Sequence, residues 1–294
     1  MSDTVLIVGC GDIGQRVAAL HLAQGARVSA LARSPARCAQ LEVLGVTPVP
    51  GDLDDAGSLL ALPAQHALVY YFAPPPEASI TDPRLGLFLQ AITRTARPHK
   101  IVYISTSGVY GDCKGAWVTE DAPPKPQTAR AQARLDAETR LLAWSGDHSV
   151  PVVILRVGGI YGPGRLPVER LRRGEPVLRC EEALFTNRIH ADDLARVCLA
   201  AAGRGGAGRI YNVCDDEHST MTDYFNAVAD ALGLARPPQI SLAEAHKVLS
   251  PGMLSYLNES RRMDNRRMRE ELGVVLRYPN LTAGLAEPAL AVAP

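Results

Sequence analysis

Val5-Leu-Ile-Val-Gly9-Cys-Gly11-Asp-Ile-Gly14 decides how this 294-residue chain is to be read. Four apolar residues run straight into a G-x-G-x-x-G turn, and an apolar-periodic stretch over 13–24 follows. The motif alone is weak. Between a strand pattern and a helix pattern, with a second apolar run at 28–31, it has a physical meaning. Gly9 allows a tight turn, Gly11 leaves room for a phosphate to approach the backbone, and Gly14 permits close helix–strand packing. Asp12 and Ile13 open the helix, whose N–H groups and positive dipole end favour an anion.

Outward from this turn, further short apolar runs lie at 46–49, 67–72, 101–104 and 152–155. Runs this short, rich in Val and Ile, suit strands buried on both faces of a parallel sheet. Helical patterns over 35–44, 82–96 and 128–144 separate them. The alternation predicts an α/β fold, a Rossmann-type doubly wound parallel sheet. Residues 1–160 form its dinucleotide-binding domain, with 191–213 (a helix, then a strand at 209–213) returning to it. Residues 161–190 and 214–285 are expected to form a smaller, interleaved C-terminal substrate lobe, with a strand at 185–189 and a helix at 222–232. A frayed tail is expected over 286–294.

Lys+Arg and Asp+Glu both number 31, and the apolar fraction is 47%. Zero net charge excludes a broad nucleic-acid or anionic-membrane surface, and no apolar stretch approaches the length of a membrane span. The six Cys show neither pairing nor metal-ligand spacing, so no metal site is expected. With no signal-peptide pattern at the N-terminus, the expectation is a cytoplasmic protein with reduced thiols.

The charge is unevenly spread. Arg16, Arg27, Arg33 and Arg37 lie in 13–41 with no acid among them. An NAD site would place an Asp or Glu at the end of the second strand; here that position carries Ala32-Arg33-Ser34, with Arg37 a turn later. Guanidinium groups there pair with a 2′-phosphate, so NADP is favoured over NAD, the alternative being that both Arg are solvated surface charges. Asp52-Leu53 follows the third strand; Asp52 either accepts from the adenine amine or caps the next helix. Ala73, opening Ala-Pro-Pro-Pro76 after the fourth strand, walls the cofactor.

The fifth strand leads into Ser105-Thr106-Ser-Gly-Val-Tyr110. Glu138, Arg156, the Gly159–Arg165 loop and Asn187-Arg-Ile-His190 with Asp192-Asp193 follow. Together with Gly9, Gly11 and Gly14, these motifs resemble the extended short-chain dehydrogenase/reductase family, the NAD(P)-dependent epimerase/dehydratase group, over residues 4 to about 285. That resemblance implies a catalytic Ser/Thr, which Thr106 matches, and a Tyr and a Lys four residues apart on one helix. Counting from Glu138, the Tyr and Lys positions hold Arg130 and Arg134, and no Tyr occurs between Tyr110 and Tyr161. Arg does not deprotonate near neutral pH and cannot replace the Tyr. The chain therefore resembles the atypical members that lack this pair.

Arg130 and Arg134, one turn apart, make a substrate anion site if their helix face lines the pocket, or a solvated pair if it does not. Tyr110 is the candidate proton carrier beside Thr106, and Tyr161 and Arg165 are candidate substrate contacts; each Tyr also reads as a packing residue. Glu120 and His190 read first as a turn and a helix-start residue. The basic run Arg261–Arg269, interleaved with acids, reads first as a solvated helix face, with one Arg a candidate substrate clamp. The expected activity is that of an oxidoreductase, epimerase or dehydratase on a small polar or nucleotide-sugar substrate, possessing a nonstandard acid–base group. The alternative is a catalytically silent NADP-binding sensor or partner-binding module. Helices over 82–97 and 128–146, with Leu135, Leu141, Leu142 and Trp144, are compatible with a homodimer and equally with core packing.

Overall fold

The computed structural model describes residues 3–77, 79–248, 254 and 259–286. A parallel seven-stranded sheet forms its centre. Its strands, in chain order, are β1 (Thr4–Val8), β2 (Arg27–Ala32), β3 (Thr47–Pro50), β4 (Leu68–Tyr71), β5 (Lys100–Thr106), β6 (Val152–Val157) and β7 (Ile210–Val213). They lie side by side in the order β7-β6-β5-β4-β1-β2-β3. The order reverses between β1 and β4, which opens a crevice above the carboxyl ends of those strands, the place where ligands dock in such sheets.

Continuous apolar runs explain the burial. Along β1, Val5 and Ile7 enter one core layer and Leu6 and Val8 the other. All four are fully buried. Each such side chain contributes about 1.5–3 kcal/mol relative to exposure. Helices α1 (Asp12–Ala23) and α5 (Ala191–Arg204) cover the first layer, and α3 (Pro83–Thr95) and α4 (Ala129–His148) cover the second. Leu141 and Trp144 of α4 belong to that second core, packed with Phe88 and Ile92 of α3. α2 (Pro35–Val43) joins β2 to β3.

A smaller core gathers Tyr161, Leu171, Val177, Leu281 and the inner face of α6 (Met221–Ala231). Here the predicted strand over 185–189 is two separate pieces. Phe185–Thr186 pairs antiparallel with Ser219–Thr220, while Arg188–His190 pairs in parallel with Gly159–Tyr161. Between the two pieces, Asn187 O accepts from Gly159 N at 2.7 Å, while its side chain donates to Arg261 O and accepts from Met263 N. The expected frayed tail lies, beyond residue 286, outside the described residues. No helix among the described residues is long and apolar enough to cross a membrane.

Candidate active site

The glycine turn is shaped by what surrounds it. Gly9 has φ +92°, and a Cβ there would collide with the backbone N of Ala73 and lie 2.8 Å from its Cα. Ala73 itself is held by its N–H donating to Val8 O at 3.1 Å. A Cβ on Gly14 would stand 3.1 Å from Gly9 O, a contact so tight that a side chain there would push α1 and the turn apart by a few tenths of an ångström. By contrast, a Cβ on Gly11 would meet nothing within 4 Å, and no side chain caps the first turn of α1. Buried Ile13 anchors that turn from below. These residues form a cradle that fits a dinucleotide pyrophosphate.

Next to the cradle, Ser34 caps α2 by accepting from Arg37 N at 3.2 Å. The Arg37 guanidinium folds back over the glycine turn, donating to Cys10 O and, at 2.9 Å, to Gln40 Oε1. Arg33 is exposed at the end of β2. Asp52 Oδ1 accepts from Asp54 N at 3.0 Å, and Asp52 N donates to Ser58 Oγ at 2.9 Å, which makes this residue the start of a tight turn. It is Asp55 that caps the short helix Ala56–Ala61. Leu53 is buried beside it.

A chain of charges crosses the front of α1. Asp12 pairs with Arg16 at 2.9 Å and with Arg165, and Arg16 also pairs with Asp192. Burial alone would raise the Asp12 pKa; the hydrogen bonds from Arg165 and Arg16 outweigh it and hold the carboxyl below its usual value.

Beyond β5 the chain enters a 3-10 turn, Ser107–Tyr110, capped by Thr106, whose Oγ1 accepts from Gly108 N at 3.2 Å. This turn corrects the expected place of Tyr110. The ring is directed inward, 1% exposed, among Val109, Val118, Cys214 and Met263. Its hydroxyl donates to Asn212 Oδ1 at 2.7 Å, and Arg156 stacks on it at 4.8 Å. Burial pushes the phenol up to about 12. Tyr110 is not among the residues that line the cavity described below.

On α4, Arg134 Nη1 donates to Ile104 O (2.9 Å), Tyr103 Oη (3.1 Å) and Ala73 O (3.3 Å). It thus bridges the carboxyl ends of β4 and β5. One turn further, buried Glu138 accepts from Ser105 Oγ at 2.5 Å and from Arg156 Nη2 at 2.7 Å. Glu120 and His190 are structural. Glu120 Oε1 accepts from Asn212 N at 2.8 Å, and His190 Nδ1 accepts from Asp192 N at 3.2 Å to cap α5.

A cavity of about 530 Å³ opens between the end of β5, the start of α4 and the smaller core. Thr106, Arg130, Arg134, Tyr161 and Arg165 line it, as do Arg188 and Arg261. Against these five arginines the described lining holds one carboxylate, Glu259, whose Oε2 accepts both Arg261 Nη groups at 2.9 Å. Arg188 is 5% exposed, stacks on Tyr224 at 4.2 Å and donates to Ser219 Oγ at 3.1 Å. Burial pulls its pKa down to about 10. The Tyr161 hydroxyl donates to Asn280 O at 3.2 Å, and burial raises its pKa. Arg165, a candidate substrate contact, lines the cavity's edge and pairs there with Asp12 of the glycine turn. Sequence reasoning missed Glu259, which carries no motif, and gave Arg188 no role of its own although it lies inside the Asn187–His190 motif.

Comparison with known proteins supports the resemblance. A family model described as the NAD dependent epimerase/dehydratase family matches residues 5–214. Protein YeeZ of Escherichia coli (strain K12) is 29% identical over 292 residues, covering 94% of this chain and 96% of its own. Among solved structures, a functionally unknown conserved protein from Silicibacter pomeroyi DSS is 32% identical, with a TM-score of 0.83 over 99% of this chain and 98% of that one. A double mutant of DesIV, a dTDP-glucose 4,6-dehydratase from Streptomyces venezuelae with NAD and DAU bound, is 21% identical, with a TM-score of 0.78 over 97% and 95%. At that identity the likeness is one of fold.

Proposed function

The chain belongs to the NAD dependent epimerase/dehydratase family, and on that premise we propose that it is an NADP-dependent oxidoreductase, epimerase or dehydratase acting on a small anionic substrate of the nucleotide-sugar kind. The observation that carries this reading is the cavity beside the glycine cradle, walled by five arginines against one carboxylate. Arg188 is buried and makes no ion pair with a described residue, Asp215 and Glu217 acting on it only from a distance, and burying a guanidinium in this way is costly unless an anion completes the site. Arg130 and Arg188 bind the substrate's anionic groups, and the Tyr161 ring packs against its apolar face.

Preference for NADP rests on Arg33 and Arg37 at the end of β2, where no acid stands to accept from a ribose diol. This departs from the NAD bound to DesIV. When bound, the nicotinamide supplies or accepts the hydride. Thr106 Oγ1 accepts from Gly108 N, which leaves its own proton to donate to the reacting substrate oxygen. Arg134, tied to Ala73 O and Ile104 O, would help to hold the nicotinamide and supply fixed positive charge beside it. It moves no proton.

The test is turnover of a dTDP- and UDP-sugar panel with NADP or NADPH, followed by mass spectrometry. The expected result is product formation that falls about tenfold or more in Thr106→Val. A second reading, a nucleotide-binding protein without turnover, is favoured by one observation: the hydroxyls of Tyr110 and Tyr161 donate to Asn212 and Asn280 and not into the cavity. Saturable NADPH binding with no product from any substrate would select it.

A further inference from the structure

Arg165 stands between two sites. It ends a turn in which Gly162 and Gly164 have φ of +128° and +74°, and its N–H donates to Gly162 O at 3.0 Å. A Cβ on Gly162 would lie 2.7 Å from His190 Nε2, so the turn is seated on a buried ring and requires glycine there. From this loop the Arg165 side chain reaches the first residue of α1. Its Nε donates to Asp12 Oδ2, and neither Nη group makes a hydrogen bond to a described residue. Its side chain is one-third exposed, and it lines the edge of the cavity.

Asp12 poses a problem that Arg165 solves. A carboxylate in the first turn of a helix suits the helix dipole, but it also repels a pyrophosphate docking on the same N–H groups. Here the carboxylate is drawn off by two guanidiniums, Arg16 on its own helix and Arg165 from across the cleft. Arg16 is further engaged by Asp192, whereas Arg165 has no second carboxylate among the described residues. Its two Nη groups are therefore side-chain donors beside the glycine cradle that no described residue engages, in addition to the uncapped N–H groups of α1.

We propose that Arg165 is a ligand of the dinucleotide pyrophosphate, with Asp12 as its holder, so that cofactor binding ties the 158–165 loop to the glycine turn. The proposal rests on the dinucleotide reading above. The pyrophosphate is common to both nicotinamide dinucleotides, whereas the 2′-phosphate is not. Removing Arg165 therefore weakens NADPH and NADH by the same factor, unlike removal of Arg33 and Arg37.

The experiment is calorimetric titration of wild type, Arg165→Ala and Arg165→Lys with NADPH and with NADH, each variant checked by its melting temperature. The expected result is a loss of about tenfold for both nucleotides in Arg165→Ala, as for one charge-assisted hydrogen-bonding group, with partial recovery in Arg165→Lys. Unchanged affinity for both nucleotides in Arg165→Ala overturns the proposal, as does a loss confined to NADPH. Wild-type protein that binds neither nucleotide overturns the cofactor reading itself, a distinct result.

Discussion

Replacing Glu138 with Ala would strand a buried charge. The Glu138 carboxylate accepts from Arg156 Nη2 at 2.7 Å, from Arg156 Nε at 3.2 Å and from Ser105 Oγ at 2.5 Å. The two charged side chains are only 2% and 4% exposed, so water does not take over these bonds. Removing one partner of a buried ion pair costs about 3–5 kcal/mol. The orphaned Ser105 hydroxyl adds about 1 kcal/mol. The expected loss is thus about 4–6 kcal/mol, a large share of the roughly 5–15 kcal/mol that stabilises a typical domain. Urea unfolding followed by far-UV circular dichroism measures it. A double variant, Glu138→Leu with Arg156→Met, removes both charges and should unfold at higher urea than Glu138→Ala, because no unpaired charge is left behind. A Glu138→Ala loss under about 1 kcal/mol, or a double variant no more stable than the single one, would refute the reading of this pair as an ion pair shielded from water.

Three further outcomes follow from the same geometry. Tyr110→Phe deletes one hydrogen bond to Asn212 and should cost about 1 kcal/mol in urea unfolding while leaving NADPH affinity unchanged by titration. Gly9→Ala forces a Cβ into Ala73 at φ +92° and should abolish dinucleotide binding in the same titration. Burial lifts the Asp215 carboxyl to about 8 in the folded protein, against about 4 when unfolded. The folded state therefore keeps a proton that the unfolded state releases. This contribution to stability is fully present below about pH 4 and is lost as pH rises towards 8, by no more than about 1.4 kcal/mol per pH unit. Asp215→Asn should accordingly gain stability over wild type at alkaline pH and gain little in acid, read from urea curves at the two extremes.

Local pattern explains what could be seen in advance. The apolar runs of β1, β2 and β4–β6 and the G-x-G-x-x-G turn are written in consecutive residues, so strand, turn and helix follow from short-range sterics and burial. The helical spacing of Arg130 and Arg134 likewise put both on one face, and the structure lines the cavity with that face. What was not legible depends on contacts far apart in sequence. Tyr110 follows Thr106 closely enough to suggest the pocket, yet the 3-10 turn after β5 points it towards Asn212, 102 residues away. Arg165 meets Asp12 across 153 residues. Arg188 and Glu259 reach the cavity only because Arg188–His190 adds to Gly159–Tyr161 and because Arg261 bonds Gly111 O beside the end of β5.

The claim that a phosphorylated dinucleotide occupies the glycine cradle is tested most directly by one measurement, titration of the wild-type protein with NADPH and NADH under the same conditions, followed by nucleotide fluorescence. Charge-assisted bonds from Arg33 and Arg37 to the 2′-phosphate predict binding of NADPH about tenfold to a hundredfold tighter than NADH, with the difference lost in Arg33→Ala/Arg37→Ala. Equal affinities, or tighter binding of NADH, would contradict it.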